Sequence, residues 1–254
     1  MCDMEEKTIE FKGVTSTVLV FDEVESTNDI AKKMAKEGAC DRTVIIANSQ
    51  TGGRGRMGRS FLSKPGGIYM SFILKPDVPA FDALKITAGA AVAVRRAVSK
   101  YAEGALIKWV NDIYINGKKG AGILAESVID EDGKMCIILG IGVNLFGKSE
   151  DFGPELSDIV TTIEENAAFL PEKREFAYDI AREVFDVYDS LNDFSLVIEE
   201  YKKYSLVLNK KVFLVSGETK KEAFVIDIDD NGGLIVEQDG EVKTISTGEV
   251  SLRF

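Results

Sequence analysis

The sequence predicts an α/β (α+β) chain: a mixed sheet with helices, followed by a small C-terminal β-barrel. Three observations carry this expectation. Up to residue 207, β-branched and aromatic runs alternate with segments of helical periodicity. Asn116-Gly117 stands between two alternating stretches, the strongest short-range hairpin signal. Beyond Asn209 the texture changes to short strands broken by SGET, DDNGG and QDGE, as in a barrel of about 45 residues. The expected division is therefore 1–207 and 208–254.

TSTVLVF is the first expected strand, and ESTNDIAKKMAKEG the first helix. Ser26 followed three residues later by Asp29 resembles a capping box, and the helix should stop near Gly38. RTVIIANSQ (42–50) and GGIYMSFILKP (66–76) read as strands, the second closed by Pro76. Asp82 to Tyr101 reads as a long helix whose small residues, AGAAVAV, suit close packing on a sheet. The hairpin segment follows, then CIILGIGVNLF (136–146) as a buried strand. Pro171 is expected in the first turn of a helix, LPEKREFAYDIAREVFDVYDSL, with SLVIEEYKKYS as another. KKVFLVS, EAFVIDID, LIVEQ, KTIST and EVSLRF are the strands of the barrel.

Composition excludes several classes of function. The formal charge of -11 argues against a nucleic-acid partner, which needs many phosphate-neutralising cations. Cys2, Cys40 and Cys136 are widely spaced and form no C-x-x-C, so a reducing cytoplasm is expected rather than a disulfide framework. The acidic start, MCDMEEKTIE, lacks the apolar core of a signal peptide, and no apolar run reaches the roughly 18 residues of a membrane span. Histidine is absent, which removes Ser-His-Asp and Cys-His catalysis and most zinc hydrolases.

Basic character is local. TGGRGRMGRSF (51–61) holds Arg54, Arg56 and Arg59 on a backbone made permissive by glycine. Gly53, Gly55 and Gly58 fit G-x-G-x-x-G, but Pro65-Gly66-Gly67 downstream forbids the helix a dinucleotide fingerprint requires. Arginine forks suit phosphate and carboxylate, so this loop is expected to wrap a small anion.

GRGRMGR resembles the adenylate-binding loop of the biotin protein ligases. ESTN at 25–28, SQTGGRGRMGRSF at 49–61, KWVNDIYINGKKGAGIL at 108–124 and GIGVNL at 140–145 resemble that family in the same order. The resemblance runs from about Phe21 to EVSLRF. It implies a catalytic sheet distantly like that of class II aminoacyl-tRNA synthetases, with an SH3-like barrel behind it. It implies activation of biotin by ATP, with Mg2+, to biotinyl-5'-AMP, and transfer to a lysine of a biotin carboxyl-carrier protein or domain of a carboxylase. Ser26, Thr27, Asn28 and Gln50 are then expected around biotin, the ureido ring among them. Gly53, Arg54, Gly55, Arg56, Lys119 and Gly122 complete that site, the arginines on the carboxylate and its phosphate. Arg54, Arg56, Arg59, Phe61, Asn111 and Asn144 are expected on the nucleotide, with Asp112 and Asn144 near the metal. Lys119, Arg56 and Asp112 are the expected catalytic group. Val110 stands where the family usually has proline, and Phe61 where it often has tryptophan. The resemblance also gives the barrel a part in holding ATP or the acceptor.

The hairpin supplies an independent expectation. With a two-residue loop, Ile115 pairs with Lys118 and Tyr114 with Lys119. Alternation then puts Asp112, Tyr114 and Lys119 on one face, with Asp112 and Lys119 diagonal neighbours roughly 7–8 Å apart. Lys119, not Lys118, is thus the expected partner of Asp112. Trp109 and the strand 44–47 read as core.

Two rivals are weaker. Lipoate ligases resemble RRxxGGG with a nearby histidine, and neither is present. A ligand-binding regulator with an N-terminal helix-turn-helix would need more than the residues preceding VFDEVEST, which starts at residue 20. An exposed edge strand is expected to allow a homodimer.

Overall fold

A computed structural model describes residues 4–76, 83–216, 219–246 and 248–252. Strands β1 (Met4–Phe11), β2 (Val14–Val24), β3 (Thr43–Gln50), β4 (Ile68–Leu74), β5 (Leu106–Lys108), β6 (Asp112–Ile115), β7 (Lys118–Ile129) and β8 (Met135–Val143) form one eight-stranded sheet. Its order is β1-β2-β3-β4-β8-β7-β6-β5, and only β2 and β3 pair in parallel. Helix α1 (Thr27–Lys36) makes the crossover between those two strands. Its start follows from Ser26, whose Oγ accepts from Asp29 N at 3.4 Å, and its end from Gly38 at φ +84°.

The sheet carries helices on both faces. Ala31 and Ala35 of α1 bury a small core on Ile45, Ile73, Cys136 and Ile138. The opposite face carries the main core, under α2 (Ala83–Ser99), α3 (Lys173–Asp189) and α4 (Ser195–Lys203). The small residues of α2 let it sink between the sheet and α3. A Cβ added to Gly89 would stand 2.6 Å from Val187 Cγ1 and 3.1 Å from Phe194 Cε2. Strands β9 (Lys211–Ser216), β10 (Thr219–Ile228), β11 (Leu234–Gln238), β12 (Glu241–Ile245) and β13 (Glu249–Leu252) form a five-stranded antiparallel sheet of SH3-like class. Val212, Val225, Leu234 and Val236 bring its interior into the main core. Trp109, 4 % exposed, ties the two sheets by donating Nε1–H to Gly232 O at 2.8 Å.

Several sequence expectations need correction. Helix α3 begins at Lys173 with the Glu172 carboxylate accepting from Glu175 N, so Pro171 precedes the cap instead of occupying the first turn. An acidic side-chain cap fixes the start two residues later than proline alone suggests. Strand β1, unanticipated, pairs with Val14 to Phe21 of β2 as the sheet edge. The hairpin carries a bulge: Tyr114 pairs with Lys119, but Ile113 with Ala121 and Asp112 with Gly122, leaving Gly120 as the extra residue. Asp82, residues 217 and 218 of the expected SGET turn, Thr247, Arg253 and Phe254 lie outside the described residues. Among the described residues no helix is long and apolar enough to cross a membrane.

Gly89→Ala should cost about 1–3 kcal/mol through overpacking, even after the helix gains an alanine. Urea denaturation against the wild type checks it; an unchanged or raised midpoint would show that α2 and α3 have room to part.

Candidate functional site

Four segments meet on the α1 side of the sheet: the start of α1, the loop 51–61, the β6–β7 hairpin and the glycine-rich end of β8. Side chains along that face of β8 run Cys136, Ile138, Gly140, Gly142. The first two lie under α1, and the glycines leave the sheet bare beyond its N-terminus. Gly142 and Gly122 are cross-strand partners. The Phe61 ring lies on that pair, where a Cβ at Gly142 would come within 2.5 Å of Phe61 Cε1. Tyr69 packs edge-on to the ring at 6.4 Å and donates its hydroxyl to Lys64 O at 2.7 Å. Burial raises the Tyr69 phenol above its usual range, so it remains a donor.

The loop is cross-braced rather than helical. Gln50 N donates to Ser63 O (3.1 Å), Phe61 N to Gly53 O (2.9 Å), Gly55 N to Arg59 O (2.7 Å) and Arg59 N to Arg56 O (3.2 Å). Met57 (φ +56°) and Gly58 (φ +74°) turn the tip. No helix follows Gly58, so the loop lacks the helix start that a dinucleotide fingerprint requires. The arginines have definite partners. Arg54 Nη2 donates to Asp29 Oδ2 at 2.7 Å, and Arg56 Nη1 to Asn111 Oδ1 at 3.1 Å. Asn111 Nδ2 in turn donates to Ile123 O at 2.8 Å, which fixes the amide so that its oxygen faces Arg56.

Lys119 Nζ stands 2.6 Å from Asp112 Oδ1 and 5.9 Å from the centroid of Phe61. Lys118 turns the other way and donates to Ser157 O. The expected pairing is therefore present, reached across the bulge rather than along a regular diagonal. Asp112 Oδ1 is buried and receives no hydrogen bond of proper direction, despite that proximity. Such an oxygen fits a Mg2+ held chiefly by phosphates, which needs only one or two protein carboxylates. Among the described residues no group of three His, Cys, Asp or Glu forms a metal cage. Below this turn the buried Tyr201 hydroxyl lies 3.4 Å from Val110 O. Burial, then Asp112, raises its phenol, against a lowering effect of Arg56.

Two joined cavities result. The narrow one, about 60 Å³, is lined by Ser26, Thr27, Asn28, Gln50, Arg54 and Gly122, with Gly140, Ile141 and Gly142 also on its wall. It has room for only a few waters. A wider cleft of about 570 Å³ is lined by Arg59, Asp112 and Asn144, together with Val215, Lys220 and Val250 of the small sheet. Gly55, Arg56, Phe61, Asn111 and Lys119 border both. Gly53 lines neither; it lies where the loop crosses itself, with no space for a Cβ beside Phe61 O and Ser63 Oγ.

The inner wall is a hydrogen-bonded chain that sequence reasoning captured only in part. Gln50 Oε1 lies 2.8 Å from Thr27 N and 3.0 Å from Thr27 Oγ1, and Gln50 Nε2 donates to Ser63 Oγ at 2.8 Å. Ser71 Oγ is 2.8 Å from Thr27 Oγ1 and 2.6 Å from Asn28 Oδ1. Asn28 Nδ2 donates to Glu126 Oε2 at 2.8 Å, and Lys32 Nζ reaches Glu126 Oε1 at 2.6 Å. Burial pushes the Glu126 carboxyl up, but the hydrogen bonds from Lys32 and Asn28 outweigh it and hold the group below its ordinary value. Ser63, Ser71 and Glu126 were missed. The one available signal was a lone carboxylate directly after the apolar AGILA.

The profile of the Biotin/lipoate A/B protein ligase family matches residues 20–144, and that of the Biotin protein ligase C terminal domain matches 207–253. The chain is 35% identical over 240 residues to the bifunctional ligase/repressor BirA of Bacillus spizizenii, covering 91% of this chain and 72% of that one. It is 28% identical over 233 residues to the biotin--[acetyl-CoA-carboxylase] ligase of Paracoccus denitrificans, covering 89% and 96%. Among solved structures, the biotin protein ligase of Aquifex aeolicus in complex with biotin and ATP superposes with a TM-score of 0.79 at 28% identity, covering 93% of this chain and 98% of that one.

If Phe61 on its glycine seat holds the loop, Gly142→Ala should expel the ring. Tryptic cleavage after Arg54, Arg56 or Arg59 should then rise about tenfold, the scale set by losing roughly half the burial of one aromatic side chain. Equal cleavage of variant and wild type would show that the backbone braces suffice.

Proposed function

Since this chain belongs to the biotin protein ligases of the biotin/lipoate A/B protein ligase family, we infer that its joined cavities activate biotin with ATP and pass it to protein. The carboxylate of biotin attacks the α-phosphorus of ATP, the bond to the β-phosphate breaks, and pyrophosphate leaves with biotinyl-5'-AMP formed. A neutral lysine amine then attacks the acyl carbon; AMP departs and the amine's proton goes to solvent. Biotin protein ligases act on biotin carboxyl-carrier proteins of carboxylases, and such a carrier is the acceptor we assign.

The observation that carries this reading is the cationic junction of the two cavities. Arg56 and Lys119 border both, so one ligand spanning them would put its reacting phosphorus and carboxylate beside both charges. Adenylyl transfer is governed by positioning and charge stabilisation, which cations supply without a histidine base. We propose biotin in the narrow cavity, against Ser26, Thr27, Asn28 and Gln50, with Gly55 and Gly122 allowing its close approach; Gly53, expected there, instead lets the loop cross itself beside the cavity. The Phe61 ring, seated on Gly122 and Gly142 at the edge of this cavity, would lift to widen it for the ligand. We propose Arg54, Arg56, Arg59, Phe61, Asn111 and Asn144 around the adenylate. ATP carries its own magnesium, which neutralises phosphate charge, and Asp112 and Asn144 are the side chains we assign beside it. Asp112 would hold that ion, and Lys119, beside it at the junction, would stand against the α-phosphate.

The finer reading extends to the whole molecule. Residues 1–207 carry the chemistry and 208–254 close the wider cleft. Free Cys40 and Cys136 support a reducing, cytoplasmic setting. The far edge of the large sheet is covered, with Leu206 N donating to Ile107 O, whereas β1 is an edge strand that a second copy can pair with to form a homodimer.

Exchange of labelled pyrophosphate into ATP tests the activation step: it should require biotin, and lipoate should not replace it. Lys119→Ala should cut that exchange by about 10²-fold or more, as loss of a preorganised charge does, while Lys118→Ala changes it little. Equal losses would remove Lys119 from its assigned role. A second expectation concerns containment of the reactive anhydride. Arg56→Gly removes a charge from the junction and loosens the loop, so adenylate should form but escape faster. At matched adenylate formation the variant should label serum albumin more than the wild type does; equal labelling would mean the loop is not a cage.

A further inference from the structure

We propose that Glu126 is a positioning residue for the urea ring, setting the direction of the Asn28–Ser71–Thr27–Gln50 relay so that acceptors face the ring's N–H groups. The proposal rests on the functional reading above.

A cyclic urea brings two N–H donors into the inner cavity, and each needs a free lone pair. The candidates are Thr27 Oγ1 and Gln50 Oε1, and whether they are free depends on how the protons run. An ionised carboxylate can only accept. Glu126 therefore forces Asn28 to turn its amide nitrogen toward Oε2, leaving Asn28 Oδ1 facing Ser71 Oγ at 2.6 Å. Ser71 has a single proton and gives it to that oxygen. Its own lone pair then receives the Thr27 hydroxyl proton across 2.8 Å. All hydroxyl protons thus run toward Glu126. Gln50 Oε1 is held only by Thr27 N, and it and Thr27 Oγ1 keep lone pairs for the ligand.

If Asn28 flips, the chain reverses. Its amide donates to Ser71, Ser71 donates to Thr27, and the Thr27 proton goes to Gln50 Oε1 at 3.0 Å. That oxygen is then filled twice by Thr27 and has little left for a urea. Nothing else nearby fixes the amide so strictly. Asn28 is wedged over Gly140, the cross-strand partner of Ser71, where its two ends have nearly the same shape. Against burial, which raises it, hydrogen bonds from Lys32 and Asn28 hold the Glu126 carboxyl below its ordinary value, and the Asn28 contact does not depend on the Lys32 ion pair.

The test is steady-state exchange with biotin and ATP varied separately. Glu126→Gln lets Asn28 adopt either orientation, so KM for biotin should rise about tenfold, the scale of one ligand hydrogen bond, with KM for ATP and kcat within about twofold. Lys32→Met breaks the same ion pair but leaves Asn28 anchored, and should leave KM for biotin within about twofold. Ser71→Ala cuts the relay in the middle without touching the ion pair and should match Glu126→Gln, the double variant being no worse than either. The Ser71 result stands if Glu126→Gln fails to fold. An equal rise with Lys32→Met, or an unchanged biotin KM in Ser71→Ala, overturns the relay. A wild type without biotin-dependent exchange overturns the functional reading and the relay with it.

Discussion

The bare stretch of sheet at Gly122, Gly140 and Gly142 is the constraint on which the site depends. Elsewhere β8 is an apolar strand buried on both faces, and any side chain at these positions would fill the space above them. Their emptiness lets α1 set Asn28 against the strand, lets Phe61 come down from the loop, and leaves a cavity beside them. Glycine in a strand weakens the ladder and removes packing area. Here that loss is confined to the paired ends of β7 and β8, and the opposite face of β8 carries Ile137, Leu139, Ile141 and Val143 in the main core. Stability is held on one face while the other is kept open for ligand.

Charge is arranged on the same plan. The chain is acidic overall, yet the junction of the two cavities is bordered by Arg56 and Lys119. Each has a partner that orients it without fully quenching it: Asn111 is neutral, and Asp112 is a carboxylate with a use of its own near phosphate. Preorganised cations in a partly enclosed site act on developing anionic charge more strongly than the same groups in water. A reaction that joins a carboxylate to a phosphate needs this more than a proton acceptor, which is why a protein without histidine can carry it out.

The sheet and most of its helices were legible because their signals are local: alternation, Asn-Gly, a Ser cap, small residues along α2. The loop and hairpin residues carry specific motifs, and the structure gathers them around two joined cavities. What escaped was long-range or a matter of one residue's register. Strand β1 buries only Ile9 and part of Phe11, so its pattern of charges hid a strand held mainly by pairing. The bulge at Gly120 left the Lys119–Asp112 contact intact while changing the route to it, which period-two alternation cannot anticipate. Glu126 is 98 positions from Asn28 in the chain, and nothing local joins them. Pro171 misled because a proline before an acidic cap resembles one inside the first turn.

The central claim is that a single ligand spans the glycine floor from Thr27 and Gln50 to the Arg56–Lys119 junction. The most direct measurement is a crystal structure with the non-hydrolysable sulfamoyl analogue of biotinyl-5'-AMP. The expected density puts the urea ring against Thr27 and Gln50, the sulfamoyl group between Arg56 and Lys119, and the Phe61 ring off Gly142. An analogue bound elsewhere, as in the adjoining cavity beside Lys64 and Phe146, or bound with Phe61 still seated on Gly142, would contradict it.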